Sequence, residues 1–427
     1  MGSPRMAKVF GAVNVGSFRI SAMIIGRAEN GELSVLGSSH RKSLGVKRGY
    51  IADMNAASDA VRDAVERAEI DARMNISGLW VNCAGAGLSS SIAAVEIPIG
   101  GRRIEEDDVE HLLYTARDHI LPDGRTVLHA HPAYYTLDGA HGIANPKGLH
   151  AETLGVDIHV MLADGAPIRN LVEAVQSAHL DVEGVIASPL AASRACLSSE
   201  ERELGAAIIE VGAELTNVSV HAGGMVVGMR AIPYGSAAIT DAVASGFGIR
   251  RDQAERLKCV HGSAIASPSD NREMIPLAPV QDGGEGSPGG TSTGAANLVK
   301  RAELVAIVTS ELERLTSDCS KALKEMGFTG PSAGQIVLTG GGADLAGVAD
   351  YVQGALGRPV RIGRPPALRG LPEAHANPGF ATLAGLCLYA SDEPTDIRAI
   401  EPNYQSSVRY AGGGVTRRVL KALKEYF

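Results

Sequence analysis

The sequence predicts an α/β protein of two similar lobes facing each other across a cleft, and three stretches predict it. At residues 336–339 a short apolar run is followed by Gly340, Gly341 and Gly342, and then by a helical pattern with Leu345, Val348, Ala349, Val352 and Leu356 on one face. Strand, glycine turn and helix in that order let backbone N–H groups approach a ligand without a Cβ in the way, beside a helix start whose orphan donors favour an anion. A nucleotide is the natural candidate. The other two stretches repeat each other. Residues 9–21 read as strand, tight turn at Gly16-Ser17 and returning strand, and residues 207–220 have the same outline around Gly212. Each is followed by a glycine-bearing hairpin turn, Asn30-Gly31 in one case and Gly223-Gly224 in the other.

Taken in order, residues 9–88 read as three strands, a helix and a strand. The helix covers 56–72 with Ala57, Ala60, Val61, Ala64, Val65 and Ala68 as its apolar stripe, a strand follows at 76–83, and 85–91 form a turn-rich boundary. Residues 92–166 have their own character: Glu105, Glu106, Asp107 and Asp108 open a helix whose apolar face is Val109, Leu112, Leu113 and Ala116, and strands are expected at 126–130 and 156–162. Helices are expected at 164–180 and 189–196, and 239–262 reads as wholly helical. Residues 281–297, with Gly283-Gly284-Glu285-Gly286-Ser287-Pro288-Gly289-Gly290, are a low-complexity loop. The longest helix is expected at 298–326, stopped by Gly327. Beyond Pro402 a polar tether, 403–414, ends in three glycines. In the last segment Val415, Val419, Leu420, Leu423, Tyr426 and Phe427 fall on one helical face and Arg417, Arg418, Lys421 and Lys424 on the other. That pattern fits an interfacial amphipathic helix on an anionic membrane surface, or a helix packed back on its own domain; the tether and the terminal position favour the membrane.

A chain of 427 residues exceeds a single core. With 45% hydrophobic and 21% charged residues its composition is that of a soluble protein, and a formal charge of −8 argues against a nucleic-acid partner. Five scattered cysteines without a Cys-x-x-Cys pair imply neither a disulfide framework nor a zinc site and fit a reducing compartment. No signal region opens the chain, and no apolar run reaches the roughly 18 residues of a spanning helix.

The turns at Gly16 and Gly212, with Leu338-Thr339-Gly340-Gly341-Gly342-Ala343, resemble the three nucleotide-contacting motifs of the actin, Hsp70 and sugar-kinase superfamily. Around them Arg202-Glu203-Leu204-Gly205, Ile232-Pro233-Tyr234-Gly235, Val260-His261-Gly262 and the run Arg-Thr-Val-Leu-His-Ala-His-Pro from Arg125 resemble the bacterial cell-division family FtsA, over residues 8–427. The resemblance implies an actin-like two-lobed ATPase fold. Subdomain 1A would span 7–91 and 167–202, an inserted small α/β subdomain 1C 92–166, 2A 203–237 and 298–402, and 2B 238–297. A linker at 403–414 and a membrane-targeting amphipathic helix at 415–427 would follow.

It further implies ATP with Mg²⁺ between the lobes. The contacts would come from Asn14, Gly16, Ser17, Phe18 and Arg19 in the first turn, Glu210, Gly212 and Ala213 in the second, the ribose-contacting Glu255 and Lys258, and Gly340, Gly341 and Gly342. Asn14 stands where the family has Asp, Ser17-Phe18-Arg19 where it has Thr-Thr-Lys, and Glu210-Val211-Gly212-Ala213-Glu214-Leu215 where it has Asp-x-Gly-Gly-Gly-Thr. Losing a carboxylate at Asn14 removes a charge that orients magnesium's waters. The expectation is therefore nucleotide binding with at most weak hydrolysis, Glu210 being the best candidate acid. Implied partners are the C-terminal tail of the tubulin-like protein FtsZ through 238–297, later division proteins through 92–166, further copies in a filament, and the inner face of the cytoplasmic membrane at the division site. Two alternatives share the fold, a PilM-like pilus-assembly adaptor and a sugar-kinase-like phosphotransferase.

Other residues receive ordinary readings. His129 and His131 share a strand face at a spacing that can hold a metal, but no Asp or Cys lies nearby in sequence, so packing is expected and no metal ligand is assigned to side chains. The acids at 105–108 serve the helix dipole. Trp80 belongs to the core, and Gly283–Gly290, without a flanking strand and helix, is no P-loop.

Overall fold

The central strands are apolar on both faces, so they fold as sheets covered on both sides. The computed structural model describes residues 6–120, 124–277, 298–329, 334–392, 394 and 396–399, and the backbone of 416–419. In the first lobe β1 (Met6–Val15), β2 (Arg19–Ala28) and β3 (Leu33–Lys42) form a meander. A small hairpin of β4 (Val46–Lys47) and β5 (Tyr50–Ile51) follows, then α1 (Met54–Ala72) and β6 (Gly78–Cys83). Asp53 caps α1 by accepting the Ala56 N–H, and the stripe expected from sequence, Ala57 to Ala68, is buried.

The insert comprises β7 (Ser89–Pro98), α2 (Glu106–Asp118), β8 (Thr126–Leu137), β9 (Ala140–Ile143) and β10 (Thr153–Ala163). Asp108 accepts the Glu105 N–H at 2.9 Å and pairs with Arg102, so the acids do serve the helix start. The chain returns to the first lobe with α3 (Gly165–Gln176), β11 (Asp181–Ala187), α4 (Ser188–Cys196) and α5 (Ser199–Leu204).

The second lobe repeats the first. It contains β12 (Ala206–Val211), β13 (Thr216–Ala222), β14 (Met225–Ile232), α6 (Ser236–Phe247), α7 (Arg251–His261), β15 (Met274–Pro276), β16 (Leu298–Lys300) and α8 (Arg301–Glu325). Next come β17 (Ile336–Thr339), α9 (Val348–Leu356), β18 (Val360–Ile362) and α10 (Ala381–Asp392). Strand order is β11-β6-β1-β2-β3 in one sheet and β18-β17-β12-β13-β14 in the other. The two are the same topology. The meanders even share register: Val15 faces Ile20 across the first turn and Val211 faces Thr216 across the second. The insert's strands, in the order β7-β10-β8-β9, continue the second-lobe sheet through a single hydrogen-bonded ladder pair, Ser89 with Arg230. Among the described residues four apolar clusters result, around Phe10, Ile24 and Leu79 in the first lobe, Ile209, Val220 and Leu312 in the second, Leu112, Leu154 and Ile158 in the insert, and a small one of Cys196, Ile208 and Val337 where α4 meets the second-lobe sheet. Trp80 is half-buried against the first.

Several expectations are corrected. Residues 239–262 are two helices, because Gly248 at φ 62° ends α6 in the left-handed region and α7 starts after Arg250. The long helix begins at Arg301, since Leu298–Lys300 pair with Met274–Pro276 as a strand. The helix after Asp164 stops at Gln176, and 181–187 are a strand parallel to β6. The helix after the three glycines starts at Val348, behind a 3-10 turn at Gly341–Asp344. Of the amphipathic helix expected at 415–427, residues Thr416–Val419 form a strand, β19, antiparallel to Ala93–Glu96 of β7. A segment this short does not sustain a helix alone in water, and on that side β7 meets β14 only at Ser89, leaving backbone groups to pair. Residues 415 and 420–427 lie outside the described residues, as do the low-complexity loop at 281–297 and the tether at 403–414.

Helix α10 is buried on nearly every side and crosses α4 at Gly385. A Cβ on Gly385 would collide with the Ala191 carbonyl oxygen. The Gly385→Ala variant is therefore expected to lose about 1–3 kcal/mol in urea unfolding. A loss below about 0.5 kcal/mol, the size of an ordinary surface substitution, would show that the helices do not cross this closely.

Candidate functional site

In the first turn the Gly16 N–H closes back on the Arg19 carbonyl at 3.2 Å; in the second, Gly212 closes on Leu215 at 2.8 Å. Among the described residues no acceptor faces the amides of Ser17, Phe18, Ala213 and Glu214, so each turn presents free N–H groups at its tip. Asn14, one residue before the end of β1, is half-buried, and Phe18 is 58% exposed at the tip. Arg19 turns elsewhere. Its guanidinium stacks on the Phe380 ring at 4.0 Å and faces Asp344; burial lowers its pKa and Asp344 opposes that. The cation thus ties the first turn to the segment behind the three glycines.

A hairpin tip links the two turns. Arg48 and Gly49, between β4 and β5, have φ of 50° and 74°. The Gly49 N–H donates to Ser17 Oγ at 3.3 Å and the Arg48 N–H to Glu214 Oε2 at 2.6 Å.

Glu210 lies at the end of β12 with both carboxylate oxygens engaged, one by the Thr382 hydroxyl and the other by Asn217 Nδ2 at 3.1 Å. Burial raises its pKa, and those two hydrogen bonds act against the rise. Gly340 has φ 82°, and a Cβ there would meet the Val211 carbonyl oxygen at 2.5 Å. Only glycine fits. A Cβ on Gly341 would meet nothing, so that position is open, whereas Gly342 backs directly on Val211. Lys258, buried in α7, donates to Glu255 Oε2 at 2.7 Å, Thr240 Oγ1 at 2.9 Å and the Ser236 carbonyl at 3.3 Å. Just past α7, Ser263 bridges to Ala346, which brings this pair's helix beside the three glycines.

The structure therefore gathers Gly16–Arg19, Gly212–Glu214 and Gly340–Gly342 at the ends of parallel strands, with Glu255 and Lys258 alongside. Of the expected membrane-facing residues, 416–419 lie in β19 and the rest outside the described residues. Sequence reading missed Arg48, Gly49, Asn217, Thr382 and Asn82; Asn82 accepts the Val15 N–H at 2.6 Å and donates to Ser188 at 3.0 Å beneath the first turn. An Arg-Gly pair between alternating residues is the one signal that could have pointed to the hairpin.

His129 and His131 do have an acidic neighbour, Asp396, whose Oδ2 lies 3.9 Å from His129 Nδ1 and 3.8 Å from His131 Nε2. Donor chemistry argues against a metal. His129 Nε2 accepts the Ala187 N–H at 3.2 Å, so the neutral ring carries its proton on Nδ1, facing the would-be ion. Asp396 is also held by Arg398 at 2.8 Å. The cluster is a hydrogen-bonded seam between the insert and the segment after α10, joined by Tyr389, 3.0 Å from His131 Nε2.

A family model described as "Cell division protein FtsA" matches residues 207–385, and one described as "SHS2 domain inserted in FTSA" matches 85–162. The cell division protein FtsA of Agrobacterium fabrum (strain C58) is 33% identical over 100% of this chain and 96% of its own. The chain belongs to the FtsA family of cell-division proteins. Solved structures extend the likeness in fold alone. The PilM-PilN type IV pilus biogenesis complex matches at TM-score 0.59, 15% identity, 92% of this chain and 99% of that one. MreB 5 of Spiroplasma citri bound to AMPPNP matches at TM-score 0.51, 15% identity, 91% and 98%. The fold is thus actin-like with an SHS2 insertion. No helix among the described residues is long and apolar enough to cross a membrane.

Burial pushes the Glu255 carboxyl up, but hydrogen bonds from Lys258 and Thr240 outweigh it and hold the pKa below the ordinary value. A depressed folded-state pKa stabilises above the unfolded value and is lost as pH falls through the folded one. Lys258→Met is accordingly expected to cost about 1–3 kcal/mol at neutral pH, with the loss shrinking towards pH 4 as the stranded carboxylate protonates. Urea midpoints at both pH values check it; an equal loss at both would assign the effect to packing.

Proposed function

We propose that the chain anchors the FtsZ ring to the inner face of the cytoplasmic membrane at the division site, binding ATP with Mg²⁺ between its lobes, assembling into filaments and recruiting later division proteins. The observation that carries this reading is identity to an FtsA protein along the whole chain, with the insert in place. In this reading FtsZ's C-terminal tail docks on 238–297, and later division proteins meet the insert at 92–166.

The turns fit a nucleotide. Free amides at Ser17, Phe18, Ala213 and Glu214 suit phosphate oxygens, and the open face of Gly341 suits a base or ribose laid against the backbone. Bound Mg²⁺ supplies charge neutralisation on the phosphates and would be held by them and by water, since both oxygens of Glu210 are committed within the protein. A carboxylate so engaged is a poor base for activating water, so at most slow hydrolysis is expected.

Membrane contact would use Val415, Val419, Leu420, Leu423, Tyr426 and Phe427 as the buried face and Arg417, Arg418, Lys421 and Lys424 as the basic one. Because Thr416–Val419 pair with β7, that form requires the strand to peel away and wind into a helix, which the interface favours by making backbone groups bond internally. Co-sedimentation with anionic liposomes, comparing the full chain with one ending at Gly414, tests the anchor. The full chain is expected to pellet, less so as salt rises, and the shortened one to stay in solution. Full-length protein remaining in the supernatant at low salt would contradict the anchor and leave the PilM-like adaptor, whose fold this chain shares, as the better reading.

A further inference from the structure

The β4–β5 tip touches both turns at once. In a two-residue hairpin with positive φ at both positions, the tip N–H groups point away from the ladder. Arg48 and Gly49 therefore offer two consecutive donors, one taken by Ser17 of the first turn and the other by Glu214 of the second. The Glu214 carboxylate consequently reaches from the second turn to the same hairpin tip that holds Ser17 of the first. A phosphate chain held by both turns would bring its terminal group to the same place.

We propose that Glu214 occupies the terminal-phosphate position of the cleft and makes it selective for a nucleoside diphosphate over a triphosphate. This rests on the nucleotide reading above and ranks its ligands: ATP still binds, but more weakly than ADP. Among the described residues no direct ion pair cancels the charge at Glu214: the Arg251 guanidinium feels that charge from nearby but binds Asp241 at 2.6 Å, and Arg19 is turned onto Phe380 and Asp344. A diphosphate leaves the Glu214–Arg48 hydrogen bond in place. A triphosphate must displace the carboxylate from the Arg48 amide or lie against it, and like charges brought into contact repel. Sequence supplies the same contrast from the other side, because a glycine stands at this position in the pattern the second turn resembles.

The test is isothermal titration of the full chain with MgADP and with MgATP, for the unaltered protein, Glu214→Gln and Glu214→Gly. Glu214→Gln keeps an acceptor for the Arg48 N–H while removing the charge, so it guards against loss of the local fold. The unaltered chain is expected to bind MgADP at least about tenfold more tightly than MgATP, and both variants to tighten MgATP by about tenfold while leaving MgADP within about twofold. Equal affinities in the unaltered chain, or a ratio that neither variant moves, would overturn the role of Glu214 and leave nucleotide binding standing. Failure of all three proteins to bind either nucleotide would overturn both.

Discussion

Parallel pairing of β1 with β6 and of β12 with β17 is the constraint on which the site depends. Ala12 lies beside Trp80 and Ile209 beside Leu338, so in each lobe the first meander strand and its parallel neighbour end at the same edge. Backbone leaving those ends must turn sharply, and in open α/β sheets this edge is where ligands gather. Gly16, Gly212 and Gly340 all stand there. Because the two meanders share register as well as strand order, their turns close with the same hydrogen bond and present the same amides. Equivalence of the turns is thus a property of the sheets, and side-chain differences at the tips are variations laid over it.

Those variations tie the turns to one another and to both lobes. Arg19 packs on Phe380 and faces Asp344, serving as a strut between the first turn and the third glycine run. Glu210 is fixed by Thr382 of α10 and Asn217 of β13, which links the second turn to the helix buried in the first lobe's core. Arg48 and Gly49 reach across to both turns. Each contact makes lobe position sensitive to what the turns hold. A two-lobed body with such coupling can bias assembly by opening or closing, provided that a ligand binds one state better.

Much of this was legible because the signals were local. Period-two and period-3.6 patterns located the repeated meander, the stripe of α1 from Ala57 to Ala68 and the strand before Gly340. What escaped depends on partners far away in the chain or on competition between local preferences. Gly248 sits between two apolar helical stretches, so periodicity ran through it until its left-handed backbone ended α6. Leu298 and Val299 fit a helix by pattern but have Ile275 to pair beside. His129 and His131 lacked an acid only because Asp396 arrives from the far end of the chain, and Glu214, a departure from the glycine of the resembled pattern, could not be aimed until Arg48 supplied its donor. The tail was read from its own amphipathic pattern, which carries no information about an unpaired edge on β7.

Hydrogen–deuterium exchange of the full chain with and without MgADP tests most directly the claim that the two turns act as one site. Slowed exchange is predicted together at 15–19, 211–215 and 340–342, with little change in the insert's sheet. Protection confined to one lobe, or absent from all three segments at saturating nucleotide, would contradict the account.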